Sequence, residues 1–304
     1  MKNLGDGRPR SALDKTRRMC RRVAMFDQLS ILAPGLLGGS VARAAHERRL
    51  ARRIVLWARR PETRAELRGQ PWCDEVADSA EKAVEHASLV VLAPPVDRIP
   101  ELAARIASHL PPGALVTDVG STKARIATLC HAALRADTPF VPSHPMAGSD
   151  KTGWENASSA LFERRVCFVT PLGDTPADAL ERVSAFWSAL GMSVIVTDPT
   201  RHDEIVAHIS HLPQVVASTL CAFLASKDPS WRGYAGGGLR DTTRIAGGDP
   251  AMWRAILEHN RDAILGALTQ YQDELRTFTD SLERRDYDDL AARLQRGRAY
   301  RSGL

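Results

Sequence analysis

The residues of this 304-residue chain whose types and spacing could do chemistry begin with a glycine turn, ILAPGLLGGS at 31–40. An apolar run enters it and a helix-like stretch leaves it. Gly35 would let the backbone approach a phosphate, and Gly38 would let the helix pack closely on the strand. The first N–H groups of such a helix, at Leu36 and Leu37, have no intrahelical acceptor and favour an anion. Ser40 could add a hydroxyl donor. Ala93 and Pro94, where a later apolar run stops, would flank the same ligand. The chemistry implied is that of a dinucleotide cofactor. Ala33 replaces the first glycine of a strict GxGxxG, so the motif draws its weight from the elements around it.

The end of the second apolar run, IVLWARR at 54–60, bears on which dinucleotide. An NAD-binding turn usually carries an acidic side chain there for the adenosine ribose. This chain has Ala58, followed by Arg59 and Arg60. Without a carboxylate to repel it, a 2′-phosphate could be gripped bidentately by a guanidinium. NADP is expected, with NAD as the alternative. Further along, His144 follows a β-like run into a Pro-Met-Ala-Gly turn, which would let it project over the cofactor cleft. Its imidazole titrates in the range useful to a general base.

The elements that must position these groups alternate. Apolar runs at 29–33, 54–57, 88–92 and 114–119 alternate with helical patterns at 37–49, 99–109 and 123–135, and a short strand and helix fill 76–86. Such spacing implies parallel βαβ units covered on both faces. Strands are expected at 140–143, 166–170 and 193–197, with a helix over 177–190 ended by Gly191. From Pro199 on the pattern is helical, at 203–225, 250–278 and 286–298, with a glycine-rich loop at 233–238. The expected architecture is α/β: a Rossmann-like dinucleotide-binding domain over 25–198, then an all-helical dimerisation domain over 199–304. The helix at 203–225 is more apolar than a small domain needs, which points to a homodimer.

Composition narrows the class. Hydrophobic residues are 44% and charged residues 25%, as in globular proteins. No uninterrupted apolar run approaches the roughly 18–20 residues of a membrane span. The five cysteines lack metal-like or paired spacing and read as reduced thiols of a cytoplasmic protein. The net charge of +5 is local: residues 1–22 carry eight Lys or Arg against two Asp, a net +6, leaving the rest at −1. A basic tail, expected to be a disordered extension over 1–24, is not a nucleic-acid-binding face.

Four segments, TDVGSTK at 117–123, PSHPMAGSDKTGWENA at 142–157, SHLPQVVA at 210–217 and GGGLRDTTRIAGGDPAMW at 236–253, resemble the prephenate/arogenate dehydrogenase family, in order over about 28–300. The resemblance implies oxidative decarboxylation of a cyclohexadienol in tyrosine biosynthesis. It assigns His144 to the substrate's 4-hydroxyl, with Ser121 bonding that hydroxyl and helping to place the imidazole. Arg244, in a loop before a helix, would bind a substrate carboxylate. His211, Gly237, Ser149 and Asp150 would line the substrate pocket. Asp118 and Lys123 read as structural partners of their turn. His202, His208 and His211 lack accompanying carboxylate or thiolate ligands in a metal pattern, so no metal is expected.

Two rivals share this plan. A β-hydroxyacid-dehydrogenase-like oxidoreductase would need a catalytic lysine among the helices, where only Lys227 exists, in a loop-like KDPS stretch. A non-enzymatic NADP-sensing module would not need His144, Ser121 and Arg244 together. Between substrates, Asp150 tips the expectation slightly toward arogenate, whose ammonium it could pair.

Overall fold

The computed structural model describes residues 24–148 and 151–303. The expected disordered extension therefore lies outside the described residues, save for Ala24. Five parallel strands form the main sheet. β1 (Phe26–Leu32) is central, flanked by β2 (Ala51–Trp57) and β4 (Leu89–Leu92), with β3 (Glu75–Val76) and β5 (Leu115–Asp118) at the edges. The strands β4 and β5 are buried throughout and β1 from Gln28 onward, because helices cover both faces. That is why these segments read as apolar runs and not as alternating patterns. The helices are α1 (Leu36–Arg48), α2 (Pro61–Leu67), α3 (Ala80–Val84), α4 (Ile99–Ile106) and α5 (Ala124–Ala133). Strand order reverses between β1 and β4, which opens a crevice beyond their carboxyl ends.

A smaller sheet follows, of β6 (Ser143–Pro145), β7 (Val166–Val169) and β8 (Ser193–Val196), with α6 (Ala177–Ala189) crossing between the last two. The expected strand at 140–143 is displaced. Phe140 makes only a bridge to Val116, while the paired strand is Ser143–Pro145, antiparallel to β7. The reason is proline chemistry: Pro139 and Pro142 have no N–H to extend a ladder. Their carbonyls accept instead, from Val116 (3.0 Å) and Thr170 (2.9 Å), one in each sheet. This short segment thus leaves the edge of the first sheet and enters the second, carrying His144 with it.

The helical part comprises α7 (Pro199–Val206), α8 (Leu212–Ala225), α9 (Gly237–Thr243), α10 (Pro250–His259), α11 (Arg261–Glu283) and α12 (Tyr287–Ser302). Asp198 and Asp249, each followed by proline at the first helical position, cap α7 and α10 through their carboxylates. Four sequence expectations need correction. The helix expected at 203–225 begins at Pro199 and contains a π-turn, Ala207–His211. Pro213 cannot donate to the carbonyl four residues back, and the Leu212 N–H reaches Ala207 O, five residues back. The helix expected at 250–278 breaks at the buried Asn260. The glycine-rich stretch expected to be a loop gives way to α9 at Gly237, and Arg244 follows that helix and starts a 3-10 turn, Arg244–Gly247. Finally, the continuous helical run Pro199–Ala225 is long and apolar enough to span a bilayer by length and composition alone. A search for uninterrupted apolar stretches passes over it because histidines and other polar residues punctuate it.

Candidate active site

The β5 carboxyl end and the segment after it set the floor of the site. Asp118 and Lys123, both fully buried, form an ion pair. Lys123 Nζ also donates to Ser143 O (2.8 Å), and Asp118 accepts from Ser143 N (3.0 Å) and Gly120 N (2.8 Å). Thr117 Oγ1 adds bonds to Val141 O (2.7 Å) and Ser143 Oγ (2.9 Å). The backbone on the N-terminal side of His144 is therefore clamped from two directions. The reading of Asp118 and Lys123 as structural partners matches these bonds.

His144 is 8% exposed, and its ring meets the helical part of the chain. Its Nδ1 lies 2.9 Å from Nε2 of the fully buried His202. The other nitrogen of His202, Nδ1, donates to Asp203 Oδ1 at 2.8 Å. Asp203 in turn accepts from the backbone N–H groups of Lys123 (2.7 Å) and Ala124 (2.9 Å), capping α5 from another element. Phe168 packs edge-on against the His202 ring at 5.2 Å between centroids. Burial above all, then the neighbouring His202, Lys123 and His211, holds His144 well below the ordinary imidazole range. Burial also lowers His202, against the upward pull of its bond to Asp203.

His211 ends the π-turn and is 1% exposed. Asn260 Nδ2 donates to Asp203 O (2.8 Å) and to His211 Nδ1 (3.1 Å). The carbonyl can only accept, which fixes the amide orientation and makes His211 Nδ1 an acceptor. A neutral His211 consequently carries its proton on Nε2. Burial brings it down to about 4, so it is neutral at physiological pH. Trp253 backs the ring edge-on at 6.0 Å.

Residues 41–196 match the family model for the prephenate dehydrogenase nucleotide-binding domain, and 198–296 the model for the prephenate dehydrogenase dimerization domain. A prephenate dehydrogenase of Bacillus subtilis is 32% identical over 284 residues, covering 92% of this chain and 76% of the relative. The chain belongs to the prephenate/arogenate dehydrogenase family. Among solved structures, prephenate dehydrogenase from A. aeolicus in complex with hydroxyphenyl propionate and NAD+ superposes with a TM-score of 0.85. It is 29% identical, covering 90% of this chain and 97% of that one. Synechocystis arogenate dehydrogenase gives 0.79 at 26% identity, covering 90% and 99%.

For this family member, the crevice beyond β1 and β4 fits a dinucleotide. A Cβ on Gly38 would stand 3.0 Å from Ala93 Cβ and 3.2 Å from Ile31 Cγ2, so only glycine lets α1 sit this close to the sheet. A Cβ on Gly35 would meet nothing, leaving open space at the helix start. No side chain caps α1 and no acidic residue stands in its first turn. The N–H groups of Leu36, Leu37 and Gly38 are thus available to an anion. Ala93 N donates to Leu32 O (2.9 Å), which holds the Ala93-Pro94 turn beside this helix start. Ala33 keeps the left-handed backbone of the missing glycine, at φ 62°. Ser40 does not have the donor role expected of it. Its hydroxyl is fully buried, donates to Leu36 O (2.7 Å) and accepts from Ser158 N (3.0 Å).

The remaining expected residues are placed as follows. Arg59 and Arg60 are exposed at the end of β2, past a buried Ala58. Arg64 Nη1 donates to Ala58 O (2.9 Å) and Arg59 O (3.0 Å), fastening that turn. Ser121 is half-buried and neither caps α5 nor holds His144; among the described residues its hydroxyl makes no hydrogen bond, and the ring is held by His202. Gly237 opens α9 and Arg244 closes it, both exposed. Ser149 and Asp150 lie outside the described residues. Sequence reasoning weighed His202 only as a metal ligand and passed over Asp203 and Asn260. The adjacent His-Asp pair, two helical turns before His211, was the available signal. Nothing in the sequence marks Asn260.

Proposed function

We propose that this chain oxidatively decarboxylates prephenate or arogenate, with NADP as the preferred hydride acceptor. The observation that carries the reading is a buried, neutral His144 held at the junction of the dinucleotide crevice and the helical site. Bound at that crevice, the nicotinamide would supply the acceptor for the hydride leaving ring C4. His144 takes the proton of the 4-hydroxyl, and the electron pair of that O–H bond forms the carbonyl π bond as hydride departs. Loss of the ring carboxylate as CO₂ then restores aromaticity. Arg244 supplies a cation for a substrate carboxylate, and the Nε2–H of neutral His211 supplies a hydrogen-bond donor. Ser121, with an uncommitted hydroxyl, orients the 4-hydroxyl.

The N–H groups of Leu36, Leu37 and Gly38 at the Gly35 turn, next to Ala93 and Pro94, would hold the pyrophosphate. The NADP preference rests on Ala58 and on the exposed Arg59 and Arg60 at the turn fastened by Arg64. The apolar outer face of the helical part supports a homodimer. Steady-state rates of reduced-cofactor formation over the four substrate and cofactor pairs test the reading. Activity is expected with NADP, and the variant His144→Asn is expected to lose roughly 10²–10⁴-fold in kcat. Inert wild-type protein, or an undiminished variant, rejects it.

A further inference from the structure

The described residues hold a hydrogen-bonded chain that the reaction as written above does not use: His144, His202 and Asp203. Its polarity follows from one end. Both oxygens of Asp203 accept from backbone N–H groups, Lys123 to Oδ1 and Ala124 to Oδ2, which can only donate. The same Oδ1 faces His202 Nδ1 at 2.8 Å, so that nitrogen bears the hydrogen. A neutral His202 then presents a bare Nε2, 2.9 Å from His144 Nδ1. That contact is a hydrogen bond only if His144 carries its proton on Nδ1. The bare nitrogen of His144 must accordingly be Nε2, the one not facing His202.

We propose that His202 and Asp203 are positioning residues that lock His144 in the tautomer with Nε2 free to act as base, and that Asp203 stabilises the imidazolium formed. The proposal rests on the reading of His144 as the base. In the step, the substrate O–H bond breaks and an Nε2–H bond forms on His144. The positive charge spreads along an unbroken chain, His144 Nδ1–H to His202 Nε2 and His202 Nδ1–H to the Asp203 carboxylate. His211, four residues past the π-turn start, is set to the opposite state. Asn260 donates to its Nδ1, so its Nε2 is a donor. Two imidazoles in one buried corner are thus given opposite roles by their partners. The other charged groups facing this corner, Lys123 and Asp118, neutralise each other.

Two substitutions and one spectroscopic measurement test this. Phe at 202 keeps ring volume beside Phe168 but accepts nothing from His144. Gln at 202 can donate to Asp203 through its amide and accept from His144 through its carbonyl. His202→Phe is expected to lower kcat about 100-fold or more with KM changed by less than about threefold, as for loss of an interaction made in the transition state. His202→Gln is expected to recover about tenfold of that loss. Ring-nitrogen NMR of the ¹⁵N-histidine-labelled wild-type protein should show both His144 and His202 protonated on Nδ1. A proton on Nε2 of either ring overturns the proposal, as does a His202→Phe variant that keeps its kcat or changes KM alone. The spectra need no turnover, so an inert wild-type enzyme would sink the assigned reaction while the tautomers still decide the triad.

Discussion

At the scale of single residues, what touches Nδ1 sorts His144, His202 and His211. His144 faces an imidazole, His202 a carboxylate and His211 a carboxamide. All three are held below their usual range, chiefly by burial. This has a consequence for stability whose sign is fixed. Above about pH 6.5 these side chains are neutral in both folded and unfolded chains, so they add no pH dependence. Below it the unfolded chain binds protons that the folded chain refuses, and stability falls as pH drops, for His211 down to about 4. Each such histidine contributes about 1.4 kcal/mol per pH unit in that window. Denaturant titrations between pH 7 and 5 should show this decline, shallower in His211→Asn. A flat profile would mean that the rings are protonated in the fold.

Elements, one level up, decide where these side chains can stand. The π-turn Ala207–His211 exists because Pro213 withholds an N–H, and it re-aims His211 relative to a regular helix. The break at Asn260 splits what would otherwise be one long helix, and the freed side chain reaches Asp203 and His211. Prolines 139 and 142 move a strand from one sheet to the other. At the cofactor turn, Ala33 occupies a left-handed conformation at φ 62°. Such a backbone costs a non-glycine residue about 1–2 kcal/mol, against about 0.4–1 kcal/mol of unfolded-state entropy that glycine adds. Ala33→Gly is therefore expected to raise stability by about 0.5–1 kcal/mol, read as a higher melting temperature. A lower melting temperature would show that the alanine methyl has packing value the backbone argument omits.

At the scale of the molecule, the two halves distribute apolar surface differently. The sheet domain buries most of its large apolar side chains, with Val196 at its far edge an exception, whereas Phe223, Trp231, Tyr234, Leu275, Leu282 and Leu294 of the helical half are each at least half exposed. The run Pro199–Ala225 keeps Gln214 and His211 buried on its inner side, leaving most of its apolar residues only half-buried or exposed in a single chain. A second copy is the covering that the proposed homodimer supplies. Light scattering should give twice the 33.3 kDa of one chain at micromolar concentration. Phe223→Glu should shift the protein toward the monomer, since a charge in a dimer core is left unpaired. A wild-type protein that runs as a monomer would leave the apolar face unexplained and remove the dimer.

What the sequence determined by itself was local or short-range. Strand–helix alternation, the glycine turn and the motif around His144 are each written in contiguous residues, and they yielded the Rossmann-like plan, the helical second half and the family. Burial on both faces makes strands legible as apolar runs, and glycine at 38 is legible because no other residue lets helix and strand approach so closely. Tertiary structure alone decided the partners of the His144 ring. His144 and His202 are 58 residues apart and Asp203 and Asn260 are 57, and neither pairing leaves a periodic trace. Ser40 looked like a phosphate donor for the same reason: a hydroxyl's acceptor is chosen by what the folded chain brings within 3 Å, here Leu36 O. Pattern reports which face of an element is buried; only packing reports which atoms meet there.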